Sequence, residues 1–193
     1  MVSSALYRYF PSRDELLTAL ILEAYGSLAD AGAAAQARVS HTDYRRRWLV
    51  TWRAVRRWAV AHPHEYALIY GSPVPGYLAP QETVEPAARV MLLFVDVVRD
   101  AAAAEAIATV PDGGRVPGAS MSARLESQLR AVTVEFAAGV PEDVLARAFY
   151  GFSQLLGMIS LELYGHFVGS LDPTEPFFDY AVDLTADLIG LPD

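Results

Sequence analysis

An all-α fold is what this chain predicts, and three patterns predict it. Apolar residues recur at three- and four-residue intervals in one stretch after another, with no strand-like alternation between them. Helix-start residues, Ser12 and Asp43 among them, stand just before such stretches. Proline and glycine gather in the gaps, at Pro11, Pro63, residues 71–76, 111–118 and 139–141.

The elements follow in order. Val2 to Phe10 reads as a short aromatic helix closed by Pro11, because the residue before a proline is disfavoured in helical geometry. Ser12-Arg13-Asp14-Glu15 has the spacing of a capping box, so a long helix begins at Arg13 and reaches about Ala37. Leu17, Leu20, Ile21, Ala24 and Leu28 mark its inner face. Thr42-Asp43 starts a helix to about His62 with Trp48, Trp52, Val55 and Ala59 as its apolar stripe. Pro63 opens a shorter helix ending at Tyr70, and residues 71–82 form a Pro/Gly-rich loop. Thr83 to about Thr109 is helical, with Pro86 tolerated in the first turn. A linker, Pro111 to Gly118, leads to a helix over Ser120 to Ala138, stopped by Gly139. Pro141 to about Phe167 is the most apolar helix, and Asp172 caps a last one from Pro173 to Ile189.

The 193 residues are 53% hydrophobic and 20% charged, enough for a real core and too apolar for disorder. No cysteine is present, which removes disulfides, thiolate metal sites and a cysteine nucleophile, and fits a reducing cytoplasm. The longest uncharged stretch of the apolar C-terminal half, Ala148 to Leu161, is too short for a bilayer, so a cytoplasmic protein with no membrane partner is expected. The net charge of −8 is uneven. Residues 1–58 hold nine Arg against five acids, a balance of +4, whereas residues 59–193 hold six against eighteen, a balance of −12. A basic end on an acidic body suits a polyanion met at that end only.

The opening string S-S-A-L-Y-R-Y-F-P-S-R-D-E-L-L resembles the DNA-recognition helix and following linker helix of the tetracycline-repressor (TetR) family. A second segment, Trp58-Ala59-Val60-Ala61-His62-Pro63 with Tyr66, Tyr70 and the run from Gly71 to Tyr77, is similar to the effector domain of that family's Trp-His-Gly branch. The resemblance implies a TetR-like architecture. Residues 1–37 would be a partial helix-turn-helix module, and residues 38–193 a helical ligand-binding and dimerisation bundle. It also implies base contacts by Ser3 and Ser4 and phosphate contacts by Tyr7, Tyr9 and Arg13. Such contacts are chemically apt: small residues let the backbone approach base edges, and phenol and guanidinium groups bond phosphate.

In that family two helices precede the reader helix, and here none stands before Val2. A nine-residue helix is marginal alone, since isolated helices below roughly 12–15 residues are unstable in water. Operator binding by this form is therefore expected to be impaired. The alternative is a ligand-binding and dimerisation protein that does not bind DNA by itself.

Aromatic residues near the Pro/Gly loop suggest a pocket for a small apolar ligand, lined by Trp52, Trp58, Tyr66, Tyr70, Phe94 and Phe152; simple core filling is the competing reading. The 141–167 helix is apolar on more than one face, and Ser153 and Gly157 would admit a close neighbour. With Leu156 and Ser160 they are the expected homodimer interface; a central buried helix is the alternative. No nucleophile elbow or carboxylate pairing suggests an enzyme. His62 and His64 flank Pro63 without a third ligand at metal spacing, so no metal and no cofactor is expected.

Overall fold

The computed structural model describes residues 9–108 and 120–193. Ser3, Ser4, Tyr7 and the 111–118 linker lie outside the described residues. Seven α-helices and a single 3-10 turn make up the regular structure within them, without a strand.

Helix α1 (Arg13–Gln36) begins where the capping box places it: the Ser12 hydroxyl oxygen accepts from the Glu15 N–H at 3.1 Å. Its buried stripe is Thr18, Ile21, Ala24, Leu28, Ala29 and Gly32. Leu20, expected inside, is 42% exposed, because α1 turns the 18–21–28–32 line toward its neighbours. At Gly32 the approach is so close that a Cβ would lie 2.6 Å from Leu93 Cδ1 and 3.5 Å from Thr51 Cγ2. The Gln36 side-chain amide then donates to the Leu93 carbonyl at 2.9 Å. Helix α1 thus lies against α2, α3 and α4.

Helix α2 (Tyr44–Ala61) starts with the Asp43 carboxylate accepting from the Arg46 N–H at 3.1 Å. It buries Tyr44, Trp48, Thr51, Trp52, Val55, Trp58 and Ala59 along one side. Helix α3 (Pro63–Tyr70) carries its proline in the first turn, where the missing N–H costs no bond. The 71–83 loop, which ends in the 3-10 turn Gln81–Thr83, returns the chain to α4 (Val84–Ala103). Then come α5 (Ala123–Phe136), α6 (Glu142–Leu163) and α7 (Glu175–Ile189). Helices α6 and α7 pair, α7 also lies against α2, and α5 rests on α6. The core gathers between them around Trp48, Trp52, Phe94, Phe178, Leu145 and Ile159. By length and composition α1 and α6 are apolar enough to cross a bilayer, but here each is one packed layer of the bundle.

Four helices stop earlier or begin later than periodicity predicts: α5, expected over Ser120 to Ala138, spans only Ala123–Phe136 because the Ser122 hydroxyl caps it, accepting from the Leu125 N–H at 3.3 Å. The other three also have local reasons. Helix α4 ends at Ala103 because Glu105 adopts a left-handed φ of 54°, letting the Ala106 N–H reach the Ala101 carbonyl at 2.9 Å. Helix α6 ends at Leu163 because Gly165, at φ 76°, lets the His166 N–H bond the Leu161 carbonyl in the same way. Helix α7 begins at Glu175 and is entered through Thr174; Asp172 does not cap it and precedes a cis bond to Pro173. Its far end repeats the motif, with Gly190 at φ 91° and Leu191 N–H on the Ala186 carbonyl.

Two of these three stops use glycine and one uses Glu105, so opposite substitutions should have opposite effects. Gly190→Ala is expected to lower stability by about 1–2 kcal/mol, since left-handed geometry is unfavourable for a Cβ, and here that Cβ would also sit 2.6 Å from the Ala108 carbonyl oxygen. Glu105→Gly should raise stability by about 0.5–1 kcal/mol by removing the same penalty. Thermal unfolding followed by circular dichroism reads both; equal signs for the two variants would contradict the assignment.

Candidate functional site

The six aromatic residues expected around one ligand pocket separate into three groups. Trp52, Phe94 and Phe152 form a cluster with Trp48. Trp52 stacks on Phe94 at 4.3 Å between ring centroids, and Phe152 meets Trp52 at 5.5 Å and Phe94 at 5.6 Å. Trp48 closes the cluster edge-on to Phe94 at 5.2 Å. Trp52 and Phe94 are fully buried, whereas Phe152 is half-buried, so the cluster reaches toward the surface along α6. Trp48 Nε1 donates to Thr185 Oγ1 at 3.1 Å, but Trp52 Nε1, equally buried, has no acceptor. A buried N–H left unpaired costs about 1–3 kcal/mol, and such a group needs an explanation.

Tyr66 and Tyr70 belong to a second group with Tyr25 of α1, at 5.3 and 5.9 Å between centroids. The Tyr66 hydroxyl lies 2.8 Å from Ser160 Oγ and donates to the Leu156 carbonyl at 3.1 Å, tying α3 to α6. Burial pushes all three phenols above their ordinary range, Tyr70 the furthest. Trp58 stands in the third group. Its Nε1 donates to Ser27 Oγ at 2.9 Å and its ring stacks on His62 at 5.1 Å. Together they wall a groove of about 470 Å³ between α1 and α3. Among the described residues no three His, Asp or Glu side chains converge as metal ligands.

Of the residues matched to DNA contacts, two are described. Tyr9 is 81% exposed and Arg13 is exposed in the first turn of α1. Behind them, Thr18 Oγ1 lies 2.8 Å from the Tyr77 hydroxyl, so the Pro/Gly loop grips the starting end of α1.

The four residues expected at an interface face two ways. Ser153 and Gly157 lie on the exposed side of α6, in line with Tyr150, Leu161 and Tyr164, which are 54%, 42% and 51% exposed. Leu156 and Ser160 instead turn toward α3, where the Tyr66 bonds engage them. Tyr180 and Leu184 extend the exposed apolar stripe onto α7.

Two charged nodes were not visible in the apolar pattern. Arg47, only 6% exposed, donates to Asp100 at 2.8 Å, to the His41 carbonyl at 3.0 Å and to Gln36 at 3.4 Å. Arg56 forms a two-pronged pair with Glu162 at 2.7 and 2.6 Å, lies over the Phe178 ring, and is held more basic than usual chiefly by those bonds. The available signal was position: Arg47 falls between Tyr44, Trp48 and Thr51 on the buried side of its helix.

The family model described as "Tetracyclin repressor-like, C-terminal domain" matches residues 48–185. HTH-type transcriptional regulator Rv1816 of Mycobacterium tuberculosis and Mb1846 of Mycobacterium bovis are each 39% identical over 170 residues, covering 86% of this chain and 69% of theirs. The crystal structure of SCO4313, described as a regulatory protein, superposes with a TM-score of 0.73 at 34% identity, covering 97% of this chain and 80% of that one. A Rhodococcus sp. RHA1 protein of unknown function shares the fold at a TM-score of 0.62 and 24% identity, covering 98% and 77%.

Proposed function

Because this chain belongs to the tetracycline-repressor family of transcriptional regulators, which are not enzymes, we propose that it is a ligand-responsive repressor working as a cytoplasmic homodimer. In this reading residues 1–37 are a partial helix-turn-helix module that meets operator DNA at its start, with Ser3 and Ser4 on base edges and Tyr7, Tyr9 and Arg13 on phosphate. Residues 38–193 bind the ligand and the second protomer. The Trp58–Tyr77 segment supports placing it in the Trp-His-Gly branch.

One observation carries the reading. Helix α1, which leads directly from the reader segment, is bonded to the body along its whole length. Tyr77 holds Thr18, Trp58 holds Ser27, Leu93 abuts Gly32, and the Leu93 carbonyl holds Gln36. Any rearrangement of α2, α3 or α4 is therefore passed to the DNA-facing end. Two reader helices would sit roughly 34–36 Å apart. A ligand shifts that spacing only through unequal affinity for the two states, with a coupling of about 1–3 kcal/mol.

The test is retention of sheared genomic DNA by the purified 193-residue chain, followed by sequencing. In keeping with impaired operator binding, the expected result is weak retention that still favours a shared sequence arranged as two half-sites one helical turn apart. Retention without sequence preference would overturn DNA reading by this chain. The second reading is a ligand-binding and dimerisation protein that does not bind DNA by itself; no retention at all would favour it, and the exposed stripe Tyr150, Leu161, Tyr164, Tyr180 and Leu184 serves as the dimer surface in either case. Both readings require a dimer through α6 and α7. A Gly157→Arg/Leu161→Asp variant is expected to elute as a folded monomer in size-exclusion chromatography with light scattering, where the unaltered chain elutes as a dimer. A variant that still dimerises would place the interface elsewhere.

A further inference from the structure

We propose that the groove between α1 and α3 is a binding site for an organic cation with an apolar body. The groove measures about 470 Å³, within the range of small-molecule sites. Its formal charges are two carboxylates, Glu23 on α1 and Glu65 on α3, and no arginine lines it. Among the described residues neither carboxylate meets a basic side chain, although most arginines of the body are paired with acids.

The rest of the wall is apolar or already bonded, apart from the exposed His64 imidazole. Leu20, Ala24 and Leu68 supply aliphatic surface, and Leu20 is the α1 residue that periodicity placed in the core. Trp58 spends its only polar atom on Ser27, and His62 Nδ1 lies 3.0 Å from the Trp58 carbonyl oxygen. The stacked pair therefore presents π surface next to negative charge, which favours a cation over a neutral or anionic guest of the same shape. A small inorganic cation is disfavoured, since no three ligating side chains converge there. Occupancy would set the distance between α1 and α3, the helix that leads to the reader segment and a helix of the body. The inference stands on the groove alone, and its test involves no DNA.

Tetraphenylphosphonium and tetraphenylborate have nearly the same shape and opposite charge, so titration calorimetry of the full chain with each separates charge from apolar contact. The phosphonium is expected to bind once per protomer and the borate at least about ten-fold more weakly, as two uncompensated carboxylates require. Glu23→Gln/Glu65→Gln should weaken the phosphonium by about ten-fold with an unchanged unfolding temperature, because both side chains are exposed. Glu82→Gln, a carboxylate beside a different groove, should leave it unaltered. No phosphonium binding, equal affinity for the two ions, or a double variant that binds like the parent would each overturn the proposal. These results are distinguishable from failure of the regulatory reading, which DNA retention reports separately.

Discussion

Phe94→Ala is expected to remove about 3–5 kcal/mol of folding stability, the range for truncating a buried aromatic side chain. Phe94 is 1% exposed and meets three rings at once: Trp52 stacked, Trp48 and Phe152 edge-on. Truncation forfeits both the apolar transfer energy and the ring contacts, worth about 0.5–1.5 kcal/mol per pair beyond area. The surrounding side chains cannot close the gap easily, because Trp48 is pinned by its bond to Thr185 and Trp52 lies between Trp48 and Phe152. Urea unfolding should show a lower midpoint with an unchanged slope. Phe152→Ala, at the half-buried end of the cluster, should cost clearly less. A Phe94→Ala loss below about 1 kcal/mol would mean that the cluster already encloses free space, since the cavity term would then be missing.

Arg47→Ala is expected to cost about 3–5 kcal/mol, the usual penalty for breaking a buried ion pair by removing one member. The guanidinium joins three segments: Asp100 of α4, the His41 carbonyl before α2, and Gln36 at the end of α1. Its loss strands the Asp100 carboxylate, whose side chain is 18% exposed and keeps only His41 at 3.2 Å and Arg99 at 3.8 Å. The Arg47→Met/Asp100→Leu double variant should regain most of the stability, because apolar replacement of both partners removes the stranded charge. A double variant no more stable than the single one would show that the arginine acts through its carbonyl and amide bonds instead.

Much of the fold was legible because its signals are local. Ser12 and Asp43 cap α1 and α2 where the capping spacing places them. Trp48, Trp52, Val55 and Ala59 form one stripe, as a 3.6-residue period requires. The ends of α4 and α6 were misplaced because a single left-handed residue, Glu105 or Gly165, stops a helix without interrupting its apolar period. The candidate pocket was less legible. Six aromatics read as one set in the sequence fall into three separate groups, since which neighbours each ring meets depends on how α2, α3, α4 and α6, which carry them, cross. Ser160 follows Ser153 and Gly157 at helical spacing, yet its hydroxyl is committed to Tyr66 ninety-four positions earlier in the chain. Arg47 and Glu162 read as surface charges until the third dimension supplies their partners.

The contact between α2 and α7 has a mechanical consequence. Arg45 reaches Asp183 and Asp187 while Arg53 reaches Asp179, so the acids on α7 repeat every four residues opposite the arginines. Such a row looks nearly the same after a slide of one turn, about 5.4 Å. Attraction along it draws the last helix in without telling it where to halt. The halt is at Thr185, where the Trp48 indole finds its acceptor and where Gly151 of α6 leaves room, its absent Cβ falling 3.3 Å from Thr185 Cβ. The charges act as a toothed rack and the indole–hydroxyl bond as its pawl; with the pawl lifted, the terminal helix would have a second notch to rest in.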